Sequence, residues 1–244
     1  MSNRTLRILL LADLHSNLPA YYAIRDKVFE EYGKNIDYTL CLGDIVGYGP
    51  HPNELIKIAE NFDASVIGNH DVACAAGNAD GFNTLAQEAV MWTFEELSTY
   101  SKTFLSILAK NEYLEITERG VKLYITHASP KDYLSDYIYP EDSRERKDTL
   151  LDMIGENHVL IVGHTHIPFI YQSKISGKVI FNPGSIGQPR DNDPRASVGI
   201  IEIDTDSAMR LNWIRAEYDI REVARDILKV GLPSRLADRL FFGQ

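Results

Sequence analysis

The chain has 244 residues, 44% of them apolar and 25% charged, with 16 glycines, 10 prolines and only two cysteines, a composition that excludes collagen-like, disordered and disulfide-stapled classes. Its formal charge of −10 repels polyanions, so neither a long nucleic acid nor an anionic membrane surface is an expected partner. The apolar run Ile8 to Ala12 is too short for a signal-peptide core or a membrane span, and Cys41 and Cys74 demand no oxidising compartment, so a cytoplasmic location is expected.

Apolar, β-branched-rich runs alternate with helical patterns through the first two thirds, the mark of βαβ units around a largely parallel sheet. Strands are predicted at 6–12, 37–42 and 64–67. Between the first two, Pro19 opens a helix whose Tyr22, Ala23, Ile24, Val28 and Phe29 recur at helical spacing up to Gly33. A second helix is expected from near Pro52 to Glu60, and two more within 83–109. Strands 112–117 and 121–126 form a hairpin turning at Arg119-Gly120. A polar helix around 143–154 carries the run Arg144 to Asp148, read as a solvated face. Strands follow at 158–162, 167–172, 178–181, 197–203 and 209–216. A helix from Tyr218 to Leu228 breaks at Gly231-Leu232-Pro233, and a last short helix reaches Leu240. No linker or repeat interrupts the pattern, so residues 1–244 read as one domain.

Chemistry is concentrated just past the predicted strands. Five of the seven histidines fall in Asp13-Leu14-His15, Gly68-Asn69-His70-Asp71, Thr126-His127 and Gly163-His164-Thr165-His166, while Asp44 follows the strand ending at Leu42. Ligands of open α/β sheets gather at the carboxyl ends of strands, where residues remote in sequence converge. Side chains two apart in extended backbone project to one side, so Asp13 with His15 and His164 with His166 read as two clamps, and two clamps suggest two metals. Carboxylate, imidazole and the Asn69 amide suit divalent Mn, Fe, Co, Ni or Zn, and the absence of clustered cysteine disfavours a structural thiolate zinc. A lone Asp-x-His is weak evidence, because an Asp or His after a strand is often only a turn or cap residue. The conjunction of five such motifs carries the argument.

The ordered series Asp13-x-His15, Gly43-Asp44, Gly68-Asn69-His70-Asp71, His127 and Gly163-His164-x-His166 resembles the calcineurin-like metallophosphoesterase superfamily. The likeness runs from Asp13 to about Arg195. The stretches Leu42 to Pro50 and Asn182-Pro183-Gly184-Ser185 are similar to its small prokaryotic phosphodiesterase and phosphatase members. The resemblance implies a four-layer αββα sandwich, two mixed sheets flanked by helices, with a dinuclear metal site at the strand ends. It also implies that Asp13, His15, Asp44 and His166 hold one ion and that Asp44, Asn69, His127 and His164 hold the other. His70 would then protonate the leaving oxygen or stabilise its charge, with Asp71 orienting it. One departure is informative: protein serine/threonine phosphatases carry Asp-Arg-Gly soon after Gly-Asp, whereas this chain has Gly47-Tyr48-Gly49, which argues against a dedicated phosphoprotein phosphatase.

The expected activity is hydrolysis of a small phosphodiester, phosphomonoester or phosphoanhydride, a nucleotide among the candidates, by a hydroxide shared between two divalent ions. Two such ions against Asp13, Asp44 and the hydroxide leave about one positive charge to attract phosphate within an acidic protein. Arg190 and Arg195 are candidate substrate contacts through guanidinium forks, weighed against a surface loop paired with Asp191 and Asp193. A symmetrical dinucleoside polyphosphate hydrolase is the alternative activity, and a catalytically silent metal-binding scaffold the alternative from another class. Asn17 and Tyr48 are candidates for the mouth of the site, and no oligomeric state follows from the sequence.

Overall fold

The computed structural model describes residues 4–244. Alternation along β1 (Leu6–Leu11) sets the layering, because successive side chains of a strand point to opposite faces. Ile8 and Leu10 join an apolar cluster with Leu123, Ile125, Ile161 and Phe181, while Leu9 and Leu11 join another with Ala20, Ile24 and Val28. A strand apolar on both faces needs cover on both. A second sheet covers one face of β1, and helices cover the other.

The chain opens with β1, β2 (Tyr38–Cys41) and β3 (Ala64–Ser65) and continues through β4 (Tyr113–Glu118), β5 (Val121–Thr126), β6 (Val159–Ile161), β7 (Phe169–Gln172) and β8 (Val179–Asn182). It returns with β9 (Ala196–Ile203) and β10 (Met209–Ala216). The first three and last two strands make one sheet, in the order β10-β9-β1-β2-β3, and the middle five make the other, in the order β4-β5-β6-β8-β7. Pairing is parallel across β1, β2 and β3, and again across β5, β6 and β8; β9, β10, β4 and β7 pair antiparallel. The largely parallel sheet read from the βαβ pattern is therefore two mixed sheets, as the resemblance implied.

Helices α1 (Leu18–Tyr32), α2 (Pro52–Ala59) and α3 (Asn69–Ala76) pack on the outer face of the first sheet, joined after α4 (Thr84–Glu96) by α5 (Thr99–Leu108). α6 (Arg144–Met153) covers the second sheet through Leu150, Leu151 and Ile154. α4, α7 (Ile220–Lys229) and α8 (Ser234–Leu240) share a further cluster that includes Tyr48. α1 starts where expected because the Asn17 side chain accepts from the Ala20 N–H at 3.2 Å and Pro19 lies in its first turn. Asn83 and Ser98 cap α4 and α5 in the same way. α3 was not anticipated: its eight residues, mostly small, show no apolar period for a reader to find. No helix among the described residues is long and apolar enough to cross a membrane.

Candidate metal centre and cavity

Five strand ends deliver one constellation. Asp13 and His15 follow β1, Asp44 follows β2, Asn69 and His70 follow β3, His127 follows β5, and His164 and His166 follow β6. The donors fall into two groups that share one residue. Asp13, His15, Asp44 and His166 bring one ligand atom each to within 4.8 Å of one another, and Asp44, His127 and His164 do the same. Asn69 adjoins the second group, its Oδ1 lying 3.1 Å from His127 Nε2. His164 and His166 thus do not clamp together; each serves a different group.

Spacing and chemistry fit a pair of cations. His15 Nε2 and His166 Nε2 lie 3.1 Å apart, as do His127 Nε2 and His164 Nδ1. Asp44 Oδ2 sits between the groups, 3.6 Å from His15 Nε2 and 3.4 Å from His127 Nε2, buried and without a hydrogen-bond partner. Donors about 2.1 Å from a common cation stand roughly 3.0–3.4 Å from each other in octahedral or tetrahedral arrangement. A buried carboxylate oxygen among imidazole nitrogens, lacking any proton donor of its own, is satisfied by such a cation.

Outer contacts aim the rings. His15 Nδ1 lies 3.1 Å from the Val46 carbonyl, His127 Nδ1 2.7 Å from that of Leu42, and His166 Nδ1 2.6 Å from that of Gln188. Each Nδ1–H donates to backbone, which leaves Nε2 as a lone pair directed into the group.

Local backbone conformation departs from the extended geometry behind the two-clamp reading. Asp13, His15, Asp44, His164 and His166 have φ of 52°, 45°, 52°, 65° and 60°. Each is in the left-handed region, at a cost of about 1–3 kcal/mol apiece. The chain curls over the strand ends instead of continuing the strands, and that curl turns the side chains inward. Gly68 allows the closest approach: a Cβ there would lie 2.1 Å from Asp44 Oδ1.

Charge is unevenly distributed among these buried groups. Burial opposes ionisation of Asp44, but His127 and His70 hold its carboxyl well below the usual range. Burial likewise opposes a charge on His127, yet the Asp44 carboxylate raises it to about 9, so that without a cation Nε2 also carries a proton, which a metal ion at that nitrogen would displace. Burial lowers His70 to about 4, with the Asp44 charge pulling the other way, so its ring is neutral at neutral pH.

His70 opens α3 and packs its ring 4.4 Å from Tyr48, 4.9 Å from Phe82 and 5.0 Å from His15, centroid to centroid. Its Nδ1 is buried without a partner beside Gly47, where φ is +93° and a Cβ would lie 2.7 Å from that nitrogen. Asp71 does not orient His70. Its Oδ1 accepts from the Val46 N–H at 3.0 Å and its Oδ2 from the Gly68 N–H at 3.2 Å, so it caps α3 and pins the loop after β2.

A cavity of about 530 Å³ opens beside the donors, lined in part by Asp44, Asn69, His70 and His164. Arg190 reaches it, its main-chain N–H donating to the His166 carbonyl at 3.2 Å and its Nη2 to Gln188 Oε1 at 2.8 Å. Arg195 does not: it folds onto Asp193 at 2.7 Å on the surface, the salt-bridged loop that was the alternative for this segment. Asn17 is spent capping α1 and donating to the Gly187 carbonyl, whereas Tyr48 does line the cavity. Sequence reasoning missed Tyr137, whose ring lies 4.1 Å from that of His164 at a tilt of 34°, and Arg239 at the end of α8. Neither lies in a motif, and Arg239 falls beyond the stretch that carried the resemblance.

The profile of the calcineurin-like phosphoesterase superfamily domain matches residues 6–206. The chain belongs to this superfamily. An uncharacterized protein of Methanocaldococcus jannaschii is 33% identical, with 97% of this chain and 98% of that protein covered. The phosphodiesterase YfcE of Escherichia coli strain K12 is 25% identical, with 85% and 93% covered. The crystal structure of a metallophosphoesterase from Sphaerobacter thermophilus superposes with a TM-score of 0.81 at 31% identity, covering 99% of this chain and all of that one. This phosphoesterase is therefore a hydrolase acting on phosphoester bonds, with a buried Asp/His cluster suited to divalent metals.

Proposed function

We propose that this phosphoesterase hydrolyses small phosphodiesters, phosphomonoesters or phosphoanhydrides at a dinuclear centre built around Asp44. The observation that carries the reading is the position of Asp44 Oδ2, unpartnered between His15 and His127. Asp13, His15, Asp44 and His166 would hold one divalent ion, and Asp44, Asn69, His127 and His164 the other, with Mn, Fe, Zn, Co and Ni as the candidate metals. When bound, such ions supply Lewis acidity that attracts phosphate and activates water near neutral pH.

The chain's own residues do the rest. His70, neutral, held in an aromatic setting and lining the cavity, would supply an N–H donor for the charge that develops on the leaving oxygen. Arg190 contributes a fixed positive charge beside the donors and orients a phosphoryl oxygen. A cavity of about 530 Å³ suits a small substrate. Residues 1–244 act as one domain, because the core between the sheets draws on both. Two free buried cysteines suit a reducing cytoplasm.

The test is a chelated protein reloaded separately with each metal and assayed on p-nitrophenyl phosphate, bis-p-nitrophenyl phosphate and a dinucleoside tetraphosphate, with metal content measured. Hydrolysis that returns only on reloading is expected. Full metal occupancy without turnover of any substrate would establish the silent scaffold instead, and symmetrical cleavage of the tetraphosphate alone would establish the dinucleoside polyphosphate hydrolase.

A further inference from the structure

Arg190 and Arg239 arrive at the same cavity from opposite ends of the fold's second half, one from the loop after β8 and one from the end of α8. Both guanidinium groups flank one ring: the Arg190 carbon lies 5.8 Å and the Arg239 carbon 5.9 Å from the Tyr48 centroid. Several other arginines of this acidic chain are paired with carboxylates: Arg7 with Glu202, Arg146 with Asp136, Arg195 with Asp193 and Arg215 with Asp191. Arg190 and Arg239 have no Asp or Glu carboxylate within 4.0 Å among the described residues.

The contacts of Arg190 are neutral instead, and Arg239 turns to the last residue of the chain. Arg190 Nη2 donates to Gln188 Oε1 and makes a long 3.5 Å contact with the Tyr48 hydroxyl, and its buried Nε has no partner. Arg239 Nε donates to the main-chain oxygen of Gln244. Asp80 also lines the cavity but is exposed and pairs with neither arginine. Burial and the neighbouring Arg190 charge lower Arg239 to about 10, the response of a cation whose neighbour is another cation. Two adjoining, partly desolvated guanidinium groups repel one another unless an anion lies between them.

The two are not equivalent in position. The main-chain N–H of Arg190 donates to the His166 carbonyl at 3.2 Å, which places it against the metal-donor set. Arg239 contacts Gln244 and the Tyr48 ring and none of the donors, so it stands further out along the cavity. An anion spanning the pair therefore extends away from the reacting centre.

Resting on the phosphoesterase reading of the cavity, we infer that Arg190 and Arg239 form a second anion subsite beside the Asp44 centre. The substrates favoured by this subsite carry two or more linked phosphoryl groups, as a nucleoside diphosphate or inorganic pyrophosphate does. One phosphoryl group lies at the metal donors and the next between the guanidinium forks.

Calorimetric titration of inorganic pyrophosphate and inorganic phosphate into the full-length, metal-free protein tests the subsite without any dependence on turnover. Wild type is expected to bind pyrophosphate more tightly than phosphate, Arg239→Gln to lower that preference about tenfold or more, and Arg239→Lys to recover part of it. In metal-loaded protein the ratio of kcat/KM for a nucleoside diphosphate to that for p-nitrophenyl phosphate should fall by a similar factor in Arg239→Gln. Equal affinity of wild type for the two anions, or an unchanged preference in both variants, overturns the inference. A loaded wild type that hydrolyses no phosphoester sinks the phosphoesterase reading alone, because the pyrophosphate preference is still read in the metal-free titration. Nucleoside diphosphate turned over far faster than pyrophosphate assigns the rest of the cavity to a nucleoside, and equal rates assign the substrate to the anhydride itself.

Discussion

The main-chain N–H of His70 donates to Oδ1 of Asp44 at 2.8 Å. One oxygen of the shared carboxylate is thereby tied to the first turn of α3, and Oδ2 is left unpartnered between His15 and His127. The same contact fixes the distance between the His70 ring and Asp44, so the proposed ligand and the proposed leaving-group donor are positioned as a unit.

Asp44→Asn should release metal from both groups together, because it removes the charge from the residue they share. Turnover should fall by about 10²-fold or more. Metal content measured on the purified variant checks this, and loss of a single ion would show that the carboxylate serves one group only.

His70→Ala should leave metal occupancy intact and slow hydrolysis by about 10²-fold, most strongly for esters with poor leaving groups. A series of substituted phenyl esters gives the dependence on leaving-group pKa. A steeper dependence in the variant is expected, while parallel lines would assign His70 to a role before bond cleavage.

Asp71→Ala should act on stability. It strands the buried Val46 and Gly68 N–H groups and removes the cap of α3. The loss of about 1–3 kcal/mol per stranded donor predicts a lowered denaturation midpoint. An unchanged midpoint with lost activity would instead return Asp71 to the chemistry.

Arg190→Ala should raise KM about tenfold or more, since a charge-assisted contact contributes about 1.5–3 kcal/mol. Arg195→Ala should leave both kinetic constants within about twofold, because its partner Asp193 lies on the surface and exposed pairs contribute about 0–1 kcal/mol. Steady-state kinetics on the two variants side by side separates them.

Much of the site was legible before any coordinates. Each donor from Asp13 to His166 follows an apolar strand, and a parallel sheet brings strand ends to one edge whatever the details of packing. Spacing misled where it assumed extended backbone: His164 and His166 fall in different donor groups, since left-handed φ at both turns them apart. Asp71 misled for a related reason, because adjacency to His70 on a helix places two side chains on different faces.

What the sequence determined by itself was the identity and order of the donors and the elements that carry them, because strand periodicity, caps and residue chemistry are local properties. The tertiary structure alone decided that Arg195 is spent on Asp193 and that Arg239 meets Arg190 across Tyr48, and it gives the geometry behind the division of donors around Asp44 that the resemblance implied. Those outcomes depend on the curl of loops and on the docking of α8 against the rest of the fold, which follow from contacts between residues far apart in the chain and leave no periodic trace along it.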